Sequence, residues 1–277
     1  MEGNFAWQNA LQKFRGTVFG LESANIVGYS TYTSEYQALW QRSGEFNTIG
    51  VGIDGYSIQS FIPAFPENAA WELGDNEAQI QTVDDGGIVD TIYRYLPAGS
   101  ASASNGAGWY TLDAGVYTYA NKKFVRGESF LYMAPYVENE DEDEIATTLQ
   151  TSGEVNLTAK TLTSPYQALW LWGNCRPVST SIQKLTPSFP AEAAWELGDN
   201  EAQIQTLDDG GIVNAIYRYL PAGSANAKNG AGWYTLEAGV YTLANKVFDP
   251  GEGFIYMAPY VENEDEDEIE TYLTFAE

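Results

Sequence analysis

The sequence predicts an all-β protein built as two tandem homologous β-sandwich modules of jelly-roll-like type, and three observations carry that prediction. The block AAWELGDNEAQIQTVDDGGIVDTIYRYLP at 69–97 returns as AAWELGDNEAQIQTLDDGGIVNAIYRYLP at 193–221, with three of 29 positions changed. The register between copies stays at 124 residues from Phe65/Phe189 to Ile145/Ile269, and a fixed-period repeat has to be read before any local pattern. Short apolar and aromatic runs alternate with Gly, Ser and Asn clusters, the pattern of strands and turns. Finally, 277 residues with 44% hydrophobic content suffice for two cores of ordinary domain size. The division expected is an N-terminal arm or tail at 1–16, a first module at 17–151 and a second at 152–277.

Along the chain, Phe5, Trp7, Leu11 and Phe14 fit one side of a short helix or a docking arm. Strands are expected near Thr17 to Leu21 and Asn25 to Thr31. YQALW at 36–40 recurs at 166–170 with an offset of 130, so six residues are lost before Phe189. The loss falls within FNTIGVGIDGYSIQSF, 46–61, and length variation belongs in loops and edge strands. The repeated block then gives a turn at FPEN, a Trp71 to Leu73 segment, a Gly-Asp-Asn turn, a strand over Ala78 to Val83 and a DDGG turn. Ile88 to Pro97 also fits a helical spacing, but its β-branched and aromatic content favours a strand. ASASNGAG is a loop, GWYTL and AGVYTYANKKF are strands, and GESFLYMAPY is a turn feeding a strand. Each module closes on one short strand, TTLQTSGE and TYLTFAE, for about eight strands per module with no long helix.

Thirteen basic residues against 38 acidic ones give a formal charge of −25 and a pI near 4.1. That balance opposes binding to nucleic acid or anionic lipid. It suits either a protein kept monomeric by repulsion or one whose packing requires divalent cations. The absence of histidine excludes the usual forms of metal-hydrolase, serine-triad and cysteine-histidine catalysis. Cys175, the single cysteine, reads as a simple buried or half-buried thiol, with intermolecular pairing as the alternative. MEGNFAWQNALQKFRG has no apolar signal region, so the chain is either intracellular or a mature form, and no stretch reaches the length of a membrane span.

Three groups of residues are candidates for chemistry. Asp75, Glu77, Asp84 and Asp85, with Asp199, Glu201, Asp208 and Asp209 in the second copy, supply the hard oxygens that Ca2+ requires, although the spacing is not that of an EF-hand and solvated turns are the default reading. The acidic runs holding Glu138, Glu140 and Asp141, and Glu262, Glu264 and Asp265, are identical in both copies. Adjacent like charges need solvent, cations or a basic partner around them, and Lys122, Lys123 and Arg126 offer such a surface on a neighbouring subunit. Trp71, Trp109, Tyr110, Trp195, Trp233 and Tyr234 raise the alternative of sugar stacking, against the plainer reading of core or module interface. Carboxylate pairs also serve glycosidases, but acids duplicated equally in two modules do not mark one differentiated cleft. The expectation is a protein that is not an enzyme and uses no organic cofactor.

SANIVGYSTYT (23–33), FNTIGVGI (46–53), the aromatic stretch at Trp109 and PGEGFIYMAPY (250–260) resemble the repeat modules of large secreted or surface proteins of Verrucomicrobia-like bacteria. The second copy departs from that pattern at its opening, which reads GEVNLTAKTLT. The resemblance implies a β-rich exported protein of the cell surface or matrix. The expected function is therefore extracellular, structural or adhesive: self-association, or binding another surface protein, through exposed strand edges, with assembly into a layer or filament aided by Ca2+. The alternative is a tandem carbohydrate-binding protein gaining avidity for a polysaccharide from its duplication.

Overall fold

The computed structural model describes residues 27–34, 39–44, 46–47, 54–64, 77–137, 145–165, 167–188, 201–208, 210–262 and 268–276. The first module contains β1 Val27–Ser34, β2 Leu39–Ser43, β3 Phe46–Asn47, β4 Gly55–Ser57, β5 Phe61–Ala64, β6 Gln79–Val83, β7 Val89–Leu96, β8 Gly108–Asp113, β9 Val116–Tyr119, β10 Lys123–Val125, β11 Ser129–Met133 and β12 Thr147–Val155. The second contains β13 Lys160–Ser164, β14 Leu169–Gly173, β15 Thr180–Ser181, β16 Leu185–Ser188, β17 Gln203–Leu207, β18 Val213–Leu220, β19 Gly232–Glu237, β20 Val240–Leu243, β21 Val247–Phe248, β22 Gly253–Met257 and β23 Thr271–Phe275. The protein is all-β, and every ladder is antiparallel.

Each module is sandwich-like. The larger sheet has six strands, β2-β11-β6-β7-β8-β9 in the first copy and β14-β22-β17-β18-β19-β20 in the second. The smaller is centred on the closing strand, β12 between β1 and β5, or β23 between β13 and β16. A two-stranded ribbon, β4-β10 or β15-β21, completes each module. The copies differ in topology by β3, two residues on the edge of β12, which lies in the segment where the sequence loses six residues. Several strands have only two or three residues, which is why twelve and eleven are found among the described residues where about eight were expected. β12 runs across residues 151 and 152, where Ser152 to Glu154 pair with Tyr29, Gly28 and Val27.

Each module has its own core. In the first, Phe61 and Leu149 from the smaller sheet meet Ile80, Tyr93, Trp109, Phe130 and Tyr132 from the larger. The second repeats this with Leu185, Leu273, Ile204, Trp233, Phe254 and Tyr256. Trp109 and Trp233 are fully buried, and burying a large apolar side chain contributes about 2–3 kcal/mol. Their indole N–H groups donate to the carbonyls of Phe61 and Leu185 at 2.7 and 2.6 Å.

A single-turn 3₁₀ element before β5 or β16 pins this arrangement. The Gln59 side chain donates to the carbonyls of Trp109 and Ala120 at 3.0 and 2.8 Å and accepts from Trp109 N–H at 2.9 Å. Gln183 makes the same three bonds to Trp233 and Ala244 at 2.9, 2.8 and 3.0 Å. The β6–β7 hairpin is closed by Asp84, whose Oδ1 accepts from the N–H groups of Gly86 and Ile88 at 3.0 and 2.9 Å. Asp208 repeats this with Gly210 and Ile212 at 3.0 and 2.8 Å, so DDGG is a side-chain-capped turn.

The expected Thr17 to Leu21 strand, the arm at 1–16, the FPEN turn, the Trp71 to Leu73 segment and the turn after it lie outside the described residues. Among the described residues no helix is long and apolar enough to cross a membrane.

Candidate functional site

The two modules meet through the outer edge of each six-stranded sheet, and the contacts come in pairs related by exchange of the modules. Ser43 N–H donates to Gly251 O at 2.9 Å, and its counterpart Gly173 N–H donates to Gly127 O at 3.0 Å. Arg42 bridges to Glu252, and Trp172 bridges to Glu128. Tyr32 lies over Gly251 just as Leu162 lies over Gly127. Such reciprocity is that of an isologous, two-fold contact, which closes on itself and does not propagate.

Arg126, expected on a basic surface, is instead buried behind this interface. Its guanidinium pairs with Asp54 at 2.6 Å and donates to Thr158 O, Thr158 Oγ1 and Ala159 O at 3.0, 3.2 and 3.3 Å. It therefore anchors the connection between modules. Burial would raise the Asp54 carboxyl, but the Lys160 hydrogen bond at 2.7 Å and the Arg126 charge outweigh it and hold the group below its ordinary value. Lys122 is occupied by Glu128 at 2.8 Å.

Two clefts flank the interface at equivalent places. One, of about 450 Å3, lies between Asp84, Glu128 and Ser129 of the first module and Lys160, Leu171 and Trp172 of the second. The other, of about 320 Å3, lies between Trp40, Gln41 and Arg42 of the first and Asp208, Lys246 and Glu252 of the second. Leu169 N–H reaches Asp85 O at 3.3 Å at one end of β14, and Gly173 N–H reaches Gly127 O at the other. The larger cleft is the gap between these ties, opposite Leu171. Sequence reasoning missed both clefts; the available signal was the change from QR to LW directly after the identical YQALW blocks.

Among the described residues, the end of each six-stranded sheet that carries its β6–β7 and β8–β9 hairpins, or the equivalent hairpins of the second module, exposes apolar side chains. Ile88 and Ile212 are each 68% exposed, and Val89, Ile92, Leu112 and Val116 are exposed with them, as are Val213, Ile216, Leu236 and Val240. Along β8 the side chains pass from buried Trp109 and Tyr110 to exposed Leu112 and Asp113, so the strand runs out from under its cover. Among the described residues β9 and β20 end their sheets, each with a neighbour on one side.

The sugar-stacking rings resolve as core. Trp109, Tyr110, Trp233 and Tyr234 are fully buried, so none presents a face to a sugar. Tyr110 and Tyr234 hold down the preceding loops, donating to Gly106 O and Gly230 O at 2.7 Å each. Trp71 and Trp195 lie outside the described residues.

Of the expected Ca2+ ligands, Glu77 and Glu201 are fully buried and ion-paired with Arg94 and Arg218, which removes them from any open site. Asp84 and Asp208 use one oxygen each to cap turns, and the Asp85 carbonyl ties down Leu169. Among the described residues no three carboxylate or thiol groups converge. Asp75, Asp199, Asp209, Glu138, Glu140, Asp141, Glu264 and Asp265 lie outside the described residues. Both acidic runs are pinched at the base, by Ile145 N–H to Val137 O at 2.8 Å and Ile269 N–H to Val261 O at 2.9 Å. Glu262 is exposed and bridges to Glu268 across the second run. Cys175 is fully buried, and burial pushes its thiol up to about 11, as the simple-thiol reading anticipates.

No protein-family model, curated protein or solved structure matches the chain.

Proposed function

We propose that the chain is a non-enzymatic structural or adhesive protein of the cell exterior that associates with further copies of itself. The carrying observation is the exposed Val116 of β9 and Val240 of β20, on the strands farthest from the module interface, with Leu112 and Leu236 exposed on the neighbouring strands. The intrachain contact uses up one edge of each six-stranded sheet, whereas among the described residues β9 and β20 are terminal strands flanked by apolar side chains. Terminal strands with apolar flanks pair readily with another edge. Because this edge occurs twice, one chain has two equivalent points of attachment, the requirement for an open array. A second copy fits this surface because the same strand edge and apolar set are available on it. The formal charge of −25 opposes the approach of like chains, so association depends on divalent cations such as Ca2+.

Light scattering and negative-stain microscopy of the full chain test this reading, with Ca2+ and with chelator. Concentration-dependent oligomers with Ca2+ are expected, and they should disappear in a Val116→Asp/Val240→Asp variant whose circular dichroism is unchanged. A wild-type chain that stays monomeric at every cation and protein concentration overturns it.

A further inference from the structure

We propose that the cleft beside Gln41 binds a neutral sugar residue, held through a pair of adjacent hydroxyls. At about 320 Å3 it reaches the range of roughly 300–1,000 Å3 typical of small-molecule sites. Gln41 is only 7% exposed, yet among the described residues neither its amide oxygen nor its amide nitrogen has a hydrogen-bond partner. Because both atoms are unpartnered, exchanging them by an amide flip changes nothing. A buried amide in this condition is unfavourable, and the fold does not demand it: the equivalent position in the second module is Leu171, on the same edge strand and paired the same way. A group of this kind calls for a partner arriving from solvent.

The chemistry of that partner follows from what the cleft leaves open. A planar carboxamide presents an acceptor and a donor side by side, matching two neighbouring hydroxyls of which one donates and the other accepts. Trp40 lines the same cleft, and its buried indole N–H is also unpartnered among the described residues; it supplies a second donor for a ring or glycosidic oxygen. Each charged side chain lining the cleft already has a contact within the protein, Asp249 included, whose carboxylate accepts from Ser179 Oγ at 3.2 Å. Lys246 pairs with Glu252 at 2.5 Å, the second Glu252 oxygen accepts from Asp249 N–H at 2.8 Å, and Asp208 caps its turn. The Arg42 guanidinium lies over the Trp40 and Tyr32 rings at 5.0 and 4.9 Å. What remains is uncharged hydrogen-bonding capacity, which selects a polyhydroxylated neutral ligand over an anion. The sugar reading thus moves from the buried Trp109 and Trp233 to a place where both modules contribute, so binding also ties them together.

The test is saturation-transfer NMR together with thermal shift on the full chain. The probes are millimolar methyl glycosides of glucose, mannose, galactose, xylose and N-acetylglucosamine, with glucuronate as the anionic comparison. At least one neutral glycoside is expected to receive saturation and raise the melting temperature. Gln41→Leu, which installs the residue of the other module, is expected to melt at or above the wild-type temperature without sugar and to bind at least about tenfold more weakly. Trp40→Phe, which removes only the indole N–H among polar groups, is expected to weaken the same response. Silence from every neutral glycoside, undiminished binding by Gln41→Leu, or preference for glucuronate overturns the proposal. Val116→Asp/Val240→Asp leaves this response intact, so the result stands apart from that of the assembly experiment.

Discussion

Two buried side-chain amides sit near the module interface in opposite conditions. Asn174 is fully buried, and its nitrogen donates to the carbonyls of Val178, Phe248 and Asp249 at 2.9, 3.2 and 3.1 Å. Its oxygen accepts from Arg176 N–H and Thr180 Oγ1 at 3.2 and 3.1 Å. Gln41 has none of this. Asn174 organises the shortened loop that replaces β3 of the first module, so its hydrogen bonds belong to folding. Gln41 stands on a strand that forms equally well with leucine, so its capacity is left for something else. Duplication has kept the backbone of the two modules and let the strand edges at their junction diverge. In the second module that edge is aromatic, with Trp172 stacked on Tyr256 at 4.7 Å; in the first it carries Gln41 and Arg42.

The reciprocity of the interface can be broken unevenly. Gly251 and Gly127 both have left-handed backbone, with φ of 71° and 96°, and each faces the other module. A Cβ at Gly251 would overlap the Tyr32 hydroxyl, whereas one at Gly127 would come within 3.0 Å of a terminal methyl of Leu162, which can turn aside. Gly251→Ala is therefore expected to cost about 3–5 kcal/mol and Gly127→Ala about 1–2 kcal/mol, measured by urea unfolding. Equal losses would show that backbone strain alone decides and that the contact does not.

A smaller effect should be symmetric. Gln59→Ala and Gln183→Ala each remove three hydrogen bonds to the backbone around a buried tryptophan, and each is expected to destabilise its module by about 1–3 kcal/mol. Equal shifts in chemical denaturation sharpen the equivalence of the modules; a silent variant in one copy would break it.

The smallest effect belongs to the first module's end of the connection. Because Asp54 is held below its ordinary value of 3.8, its stabilisation is complete above that pH and is lost as the pH falls through the lower folded value. Half-exposed, it contributes no more than about 1 kcal/mol. Asp54→Asn should reduce stability at pH 7 and make no difference near pH 2, read from melting temperatures. At the alkaline end the raised Cys175 thiol works in the other sense. Its contribution is present below its ordinary value of 9.0 and disappears as the pH rises through about 11.

Much of the fold was legible because its determinants are local. The repeat fixed the equivalence of the modules, β-branched and aromatic runs separated by Gly, Asn and Asp marked the strands, and DDGG announced a hairpin turn that Asp84 and Asp208 do close. The lost six residues pointed to the segment where β3 exists in one copy and Asn174 substitutes in the other. The candidate sites were much less legible. Alternation along a strand shows which side chains share a face but not which face the rest of the protein covers, so beside the favoured core reading Trp109 and Tyr110 kept a platform reading until both proved buried. Arg126 read as surface charge because its partners, Asp54 and the Thr158 and Ala159 carbonyls, are distant in sequence.

By itself, then, the sequence determined an all-β chain, its doubling, most strand positions and the turn chemistry, since each depends on residues within a few positions of one another. Only the tertiary structure decided that the modules meet by a reciprocal edge contact, that apolar side chains at the sheet ends face outward in duplicate and that Gln41 is enclosed without a partner among the described residues. Those facts depend on which distant surfaces come together, and burial is a property of that meeting and of no single stretch of chain.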